Sequence, residues 1–436
     1  CFPKTGFKGQ SPMHVFCDIN GVVYLATSGN TVMRVEDSSD AAFLSENLKV
    51  AAFSTGKIEN HSSLYMDHEG KLMVCANNGF GFFDKNMQFH EAEGGLFNSS
   101  IEKIIQDYHG NYWLASSRYG VLNIARSRFT DVSGMAMAPK DVYNAVIKYR
   151  GDLYMGADNG LYVMDAQQKL VSNPLTELLK GIRIRYFAKD REDALWIAAY
   201  NKYGLVRYKD GQWKNWTRKD GLPSDKVRSL LALRNGDMAV GTGNGLVIMH
   251  DGAIHKTYTR STHREMANGV ILCLCEDPDG NLYAGSDGSG VYKIRTDGTV
   301  RALPLAKNGD NLGSILSMEW DEKRNGMWIG NGNHVYFMQG EDIVRINTGK
   351  LNSVNLFKIV PYGDRLSMFS SQMIQSVDIA DLLDPNVEKT ERMKSYSSTR
   401  YDNTLNSSLT VNACHYYDPE EQKVYLACSR NVLALD

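Results

Sequence analysis

Residues 106–125 read QDYHGNYWLASSRYGVLNIA, and the phrase Asp107-x-x-Gly110-x-x-Trp113 within them decides the fold. Taken alone, an acid, a histidine, a tryptophan and a tyrosine around one turn resemble a small site. Related phrases, however, occur ten times along the chain, most of them about 40–45 residues apart. A period in this range indicates a solenoid or a propeller. The copies are centred on Tyr24, Met73, Trp113, Tyr154, Trp196, Ala239, Tyr283, Trp328, Ser367 and Tyr425.

Each copy has the pattern of a hairpin turn that leads into a buried strand. Glycine lies three positions before the central residue in six copies, where a tight turn needs a positive φ. Three successive positions are then apolar, as in Leu195-Trp196-Ile197, so this strand is covered on both faces. The next position is small in nine of the ten copies, which would let neighbouring sheets approach closely. With apolar strands on both sides and a polar outer strand, the repeat predicts a four-stranded antiparallel propeller blade.

The predicted fold is therefore all-β, a β-propeller of about ten blades that spans residues 1–436. One ring usually has four to eight blades, so two partitions stay open: one unusually large closed ring, or one seven-bladed ring plus part of a second. The N-terminal stretch CFPKTGF resembles an outer strand that could complete the last blade. The polar stretch 379–410 interrupts the period and is predicted to be an insertion between the last two blades, with a short helix around 387–395.

The bulk composition excludes several function classes. A formal charge of −2 and a pI near 6.6, without a basic stripe, argue against nucleic-acid binding. Seven scattered cysteines, an odd count, indicate no disulfide framework. No apolar run approaches the length of a membrane span. The abrupt start at Cys1 is compatible with a processed terminus or with an excised ectodomain.

Three segments carry a family resemblance. Residues 219–252, KDGLPSDKVRSLLALRNGDMAVGTGNGLVIMHDG, resemble the two-component regulator propeller repeat, and residues 184–208 and 271–294 fit the same pattern. The resemblance implies a periplasmic or extracellular sensor region of the hybrid two-component and one-component regulators of Bacteroidetes. In that family two seven-bladed rings follow one another, and the sensed ligands are commonly glycan fragments. It also implies a cytoplasmic output domain of the same polypeptide, outside this chain, and a relay that could act through a homodimer.

The candidate ligand site lies in the loops that follow the central strand of each repeat. Their lengths vary within an otherwise constant unit, and loops at one end of a propeller channel are where ligands bind. Tyrosine faces stack on sugar rings, and arginine makes bidentate contacts to carboxylate or sulfate. The predicted ligand-binding residues are Arg118, Tyr119, Tyr200, Lys202, Tyr203, Asp287, His334 and Arg430.

The remaining conspicuous residues are predicted to be structural. Trp113, Trp196 and Trp328 are interpreted as core anchors, and Asp107 and Asp277 as turn formers. No catalytic residue, metal ligand or cofactor is predicted.

The leading hypothesis is accordingly a non-catalytic, ligand-sensing ectodomain for a glycan fragment. Two alternatives stay open. Acids distant in sequence could converge on the channel as in a propeller glycosidase or polysaccharide lyase. The blades could also serve as a protein-interaction platform in surface assembly.

Overall fold

The computed structural model describes residues 9–36, 49–92, 100–107, 110–124, 129–348, 356–371, 373–384, 386, 394–397 and 407–435. The chain divides into two compact units, Cys1–Ser127 and Arg128–Asp436, called here the N-terminal and the C-terminal unit. Each is described by itself.

The repeat around Ala239 shows how one blade is built. Its strands are β21 (Val227–Ala232), β22 (Met238–Thr242), β23 (Gly245–His250) and β24 (Ala253–Tyr258), paired antiparallel in that order. All five residues of β22 are buried, as expected for a strand covered on both faces. The turn before β22 needs glycine, because Gly236 has a φ of 99°.

The described part of the C-terminal unit contains seven four-stranded sheets. Six are consecutive in the chain, and the seventh combines the strand Phe129–Asp131 with the last three strands. Two of the six sheets precede β21–β24 in the chain: one of β13 (Tyr143–Tyr149), β14 (Asp152–Ala157), β15 (Gly160–Met164) and β16 (Leu170–Val171), and one of β17 (Ile184–Lys189), β18 (Leu195–Ala199), β19 (Gly204–Lys209) and β20 (Gln212–Trp216). Two follow it directly: one of β25 (Ile271–Glu276), β26 (Leu282–Ser286), β27 (Val291–Ile294) and β28 (Val300–Ala302), and one of β29 (Ser317–Asp321), β30 (Gly326–Gly330), β31 (Val335–Gln339) and β32 (Asp342–Arg345). The last of the six consists of β33 (Leu356–Tyr362), β34 (Arg365–Ser370), β35 (Met373–Asp378) and β36 (Lys394–Ser397).

The seventh sheet closes the ring. Strands β37 (Tyr416–Asp418), β38 (Lys423–Ala427) and β39 (Val432–Leu435) lack an outer strand of their own, and β12 (Phe129–Asp131) pairs with β39 to supply it. Seven hydrophobic clusters fill the seven spaces between successive sheets. The cluster with Tyr143 and Tyr425 joins the last sheet to the first. The C-terminal unit is thus a closed seven-bladed propeller.

Small residues let adjacent blades of this ring pack closely. A Cβ added to Gly156 would lie 2.5 Å from Ile184 of the next blade, and one added to Gly285 would lie 2.9 Å from Ile315. Gly241 and Gly330 face isoleucines of the following blades in the same way, at 2.9 and 2.8 Å. Distances under 3.0 Å leave no room for a Cβ atom, which explains why these four repeats have glycine at the small position.

The N-terminal unit has three sheets in its described residues, with the middle one packed between the other two. They comprise β1 (Pro12–Cys17), β2 (Val23–Thr27), β3 (Thr31–Val35), β4 (Val50–Ser54); β5 (His61–Met66), β6 (Leu72–Ala76), β7 (Gly79–Phe83), β8 (Phe89–Glu91); and β9 (Ile101–Gln106), β10 (Tyr112–Ser116), β11 (Gly120–Ile124).

The prediction that three tryptophans are core anchors is right for two of them. Trp196 and Trp328 are buried, but Trp113 is 42% exposed. Trp113 lies on the third sheet of the N-terminal unit, on the face opposite Leu114, which packs against the middle sheet. Within that unit no further described sheet covers the face of Trp113, so the same sequence position is solvent-accessible here.

Two further expectations are corrected. The strand that completes the last blade is Phe129–Asp131, whereas the predicted closing stretch CFPKTGF lies outside the described residues. The polar stretch 379–410 is not wholly an insertion, because its residues Lys394–Ser397 form the outer strand β36. The helix in this stretch is Ile379–Leu383, and the residues 387–393 of the predicted helix lie outside the described ranges. Short helices also occur at Val132–Met135 and Pro174–Leu178, and a 3-10 turn at Arg218–Asp220.

Candidate functional site

The loops between the second and third strands of the C-terminal unit lie at one end of the channel. Each begins beside the residue that precedes an inner strand, as backbone hydrogen bonds show. Tyr200 N donates to Arg183 O at 2.8 Å, and Gly243 N donates to Lys226 O at 2.9 Å. Asp287 N donates to Val270 O at 3.0 Å in the same way. These loops and the starts of the inner strands together form a surface called here the rim.

One sector of the rim carries three cations around a tyrosine. The guanidinium carbons of Arg183 and Arg228 lie 5.9 and 5.6 Å from the ring centroid of Tyr200. Lys226 Nζ lies 6.0 Å from the same ring, and Arg228 Nη2 donates to the Tyr200 hydroxyl at 3.4 Å. Together with Arg185, two residues after Arg183, these residues are called the arginine cluster: Arg183, Arg185, Lys226 and Arg228.

Strand register explains why these cations meet. Ile184 pairs with Ala199, and Val227 pairs with Thr242, at the start of the inner strands of two successive blades. Arg183 is therefore equivalent to Lys226, and Arg185 to Arg228. A register shift follows Ile184 and another follows Val227, and the contacts of Arg183, Lys226 and Arg228 with the Tyr200 ring show that these three side chains face one side. In the following blade the equivalent positions are Val270 and Leu272, and the positive charge ends there.

Polar neighbours hold the cluster from the preceding blade. Arg183 Nε lies 2.8 Å from Asp158 Oδ1. Asn144 Nδ2 donates to the same oxygen at 2.7 Å, and Arg185 Nη1 donates to Asn144 Oδ1 at 3.0 Å. This chain of contacts orients Arg183 and Arg185.

The cluster has more positive charge than its neighbours neutralise. Among the described residues, Asp158 is the one carboxylate in ion-pair contact with it. The Nε atoms of Arg185 and Arg228 are buried, and within the described ranges neither has a hydrogen-bond partner. Burial, together with the positive charges of Arg183 and Arg228, lowers the pKa of Arg185 to about 10. The site is therefore suited to a bound anion.

Below the rim, the inner strands enclose a cavity of about 350 Å³. Tyr186, which follows Arg185 on β17, lines it together with Cys273, Glu319 and Lys358. Lys358 forms an ion pair with Glu319. Burial lowers the pKa of Lys358, but the Glu319 carboxylate outweighs burial and raises it. Burial raises the pKa of the Cys273 thiol, which therefore stays protonated.

His415 belongs to the same inner layer. Its ring stacks on Phe369 with centroids 5.8 Å apart, and its Nδ1 accepts a hydrogen bond from Ala427 N at 3.1 Å. Burial, helped by the charge of Lys358, lowers the pKa of His415 to about 3. His415 is therefore neutral at physiological pH.

Of the predicted site residues in the C-terminal unit, Tyr200 contacts the arginine cluster, and no described contact joins the others to it. Lys202 Nζ lies 5.0 Å from the Tyr203 ring, which packs edge-on against Trp213 at 6.3 Å. Asp287 accepts a hydrogen bond from Ser314 at 2.7 Å. The other positions are His334 beside Tyr336, Arg430 exposed in the last loop, and Arg118 and Tyr119 in the N-terminal unit.

The sequence prediction missed Arg183, Arg185, Lys226 and Arg228. The prediction considered only loops of variable length, whereas these residues lie at the start of inner strands. A signal was available: basic residues two apart, Arg183-x-Arg185 and Lys226-x-Arg228, occupy the same position in consecutive repeats.

Comparison with known proteins agrees with the repeat and the fold. Residues 265–288 match the family described as two component regulator propeller, so the chain carries this repeat. No protein of curated function matches the chain significantly.

Solved structures extend the likeness to the whole chain. The extracellular domain described for a hybrid two component system, BT3049 from B. thetaiotaomicron, has a TM-score of 0.67 at 18% identity, over 98% of this chain and 56% of that one. The extracellular domain of a second system, BT4673, has a TM-score of 0.56 at 17% identity, over 100% and 60% of the two chains. Virginiamycin B lyase from Staphylococcus aureus has a TM-score of 0.52 at 11% identity, over 70% of this chain and 97% of that one. The chain thus spans less than two thirds of the two B. thetaiotaomicron domains, and at these identities the likeness shows the fold.

Proposed function

We propose that the chain is a non-catalytic, extracytoplasmic ligand-sensing region of a signal-transduction regulator. The two component regulator propeller repeat at residues 265–288 supports this, as does the likeness to extracellular domains of B. thetaiotaomicron regulators. Among the described residues, no helix is both long and apolar enough to span a bilayer. Ligand binding would favour one conformation of the sensor and bias a cytoplasmic output domain through it.

The ligand that we propose is a glycan fragment bound at the rim. The observation that carries this proposal is Tyr200, a half-buried aromatic ring at the mouth of the channel, set among hydrogen-bond donors held by Asp158 and Asn144. Sugars present apolar faces and many hydroxyl groups, which an aromatic ring and oriented donors satisfy together.

A binding role fits the rim better than catalysis. Guanidinium groups keep their protons at neutral pH and supply no general base, and this holds for Arg185 even with its pKa lowered to about 10. The likeness to virginiamycin B lyase, at 11% identity, concerns the fold and brings no catalytic group with it.

Isothermal titration calorimetry against a panel of oligosaccharides tests the proposal. We expect one glycan class to bind, and Tyr200→Ala to weaken that binding at least tenfold, about 1.4 kcal/mol. Tyr362→Ala is the matched control, because Tyr362 is 75% exposed and ends β33 at the hairpin side of its blade. Equal losses in both variants, or products released from the oligosaccharides, would contradict the proposal.

A further inference from the structure

We propose that the arginine cluster is a binding site for a carboxylate or sulfate group, so that the sensed glycan is an acidic one. The glycan part of this inference rests on the proposed function. The anion part rests on the cluster alone.

The arginine cluster carries more positive charge than the neighbouring carboxylates neutralise. Two successive blades each place two cations at equivalent positions, whereas the described contacts supply one carboxylate, that of Asp158. Like charges at close range destabilise one another, and partial burial strengthens that effect. An anion bound between the two blades would relieve this repulsion, and its binding energy would include that relief.

Two guanidinium groups have buried donors that the described residues leave unsatisfied. Arg185 donates through Nη1 to Asn144, and Arg228 donates through Nη2 to Tyr200. The Nε atoms of both are buried, and no residue that the structure describes accepts a hydrogen bond from them. Because a buried donor without an acceptor is costly, a ligand oxygen that accepts from it binds more tightly. Planar guanidinium groups match the paired oxygens of carboxylate and sulfate, and compact ammonium groups do not.

Tyr200 places an aromatic ring within the cluster. Its ring lies among Arg183, Lys226 and Arg228, each within 6.0 Å of the ring centroid. A sugar that presents its acidic group to the guanidinium groups would therefore have an aromatic ring beside its carbon skeleton. These are the two contacts that a uronate or a sulfated sugar makes and a neutral sugar makes only in part.

The experiment compares oligosaccharides that differ only in charge. Oligogalacturonides are titrated beside their methyl esters, and sulfated galactan oligosaccharides beside the unsulfated ones. We expect at least one charged member to bind tenfold or more tightly than its neutral partner, with affinity that falls as salt concentration rises. Preference within the acidic pairs identifies whether carboxylate or sulfate is the recognised group.

Variants then assign the effect to the cluster. We expect Arg185→Met and Arg228→Met each to lower affinity for the charged oligosaccharide at least tenfold, and Arg228→Lys to restore only part of it. Lys256→Met, which removes an exposed cation on the outer strand β24, should change affinity less than twofold. Without ligand, Arg185→Met should unfold at or above the wild-type temperature, because it removes a repelled charge. A neutral partner bound as tightly as the charged one, or full affinity in both methionine variants, would overturn the inference.

A second measurement separates this inference from the proposed function. The melting temperature is followed with sodium sulfate and with sodium chloride at equal ionic strength. A stabilisation by sulfate that is clearly larger in the wild type than in Arg185→Met would support the anion site even if no oligosaccharide bound and glycan sensing failed, because the general stabilising effect of sulfate acts on both proteins equally. Tight binding of neutral oligosaccharides alone would retain glycan sensing and reject the anion site.

Discussion

Asp190 Oδ2 accepts a hydrogen bond of 2.8 Å from the indole Nε1 of Trp196, while its Oδ1 accepts from Ala194 N at 2.9 Å. One carboxylate thus holds the hairpin turn and the aromatic residue of the strand that follows. The same arrangement recurs between Asp321 and Trp328 at 3.0 Å, between Asp107 and Trp113 at 3.0 Å, and between Asp277 and Tyr283 at 3.2 Å. The acid and the aromatic residue in the repeated phrase are a structural pair.

Asp190→Ala should therefore destabilise the C-terminal unit by about 2–3 kcal/mol, because it leaves the buried indole N–H of Trp196 without an acceptor. Chemical denaturation followed by tryptophan fluorescence measures this. Asp165→Ala is the control, since Asp165 Oδ1 accepts only from turn amides of Gln167 and Lys169 among its described hydrogen bonds. An equal loss in the control would mean that the turn, and not the aromatic anchor, accounts for the stability.

Close packing between blades predicts that Gly241→Ala destabilises the ring by about 1–3 kcal/mol. The new methyl group would lie 2.2 Å from Ser229 Oγ and 2.9 Å from Ile271 Cγ2 of the next blade. Gly243→Ala, two residues further, would meet Ser224 Oγ at 3.2 Å and should cost less than 1 kcal/mol. Thermal unfolding compares the melting temperatures of the two variants. Similar melting temperatures would contradict the prediction and show that the blades can move apart at little cost in free energy.

Ring closure depends on Asp131, whose Oδ2 accepts from Asn431 Nδ2 at 3.0 Å. Its Oδ1 accepts from Ser133 Oγ, which in turn accepts from Val432 N at 2.9 Å. We expect Asp131→Ala to cost about 1–3 kcal/mol and to accelerate hydrogen exchange in residues 432–435. The control is Asp378→Ala, which removes the N-cap of the helix Ile379–Leu383 in the same unit. It should leave hydrogen exchange in residues 432–435 unchanged. Unchanged exchange in Asp131→Ala would argue that the strand pairing alone holds the ring shut.

His415, a half-buried residue with a buried Nε2, predicts a specific sensitivity to acid. Its folded pKa of about 3 lies below the ordinary value of 6.5, so the unfolded state binds more protons between these pH values. The contribution of His415 to the free energy of unfolding is therefore fully present above pH 6.5. It falls as the pH drops towards 3, by at most about 1.4 kcal/mol per pH unit. His415→Asn can keep an acceptor for Ala427 N but does not titrate. Urea denaturation at pH 7.5 and 5.0 should show about 2 kcal/mol more loss in the wild type than in the variant, and equal losses would contradict the assignment.

Local patterns predicted the blade well because the forces that build it act within one repeat. The turn glycines, the apolar triplet and the small position that faces the next blade can each be seen within about ten residues, and the structure confirms them at Gly236, Met238–Thr242 and Gly241. Trp113 departs from its counterparts because its burial depends on whether another sheet covers it, which its own repeat does not encode.

The candidate site was predicted less completely. Tyr200 was found through its variable loop, but the cations around it belong to the inner strands of two blades. Whether Arg185 and Arg228 face each other depends on how β17 and β21 align across the interface between blades. A loop-by-loop comparison of the sequence contains no information on that alignment.

The sequence by itself thus determined the class of fold, because a blade is stabilised by contacts between residues close together in the chain. Only the tertiary structure decided which strand closes the ring and which cations share a site. Asp131 and Asn431 meet across 300 residues, and Arg185 and Arg228 come from separate repeats. Such contacts arise when seven blades pack around one axis, and the geometry of that packing is a property of the whole ring.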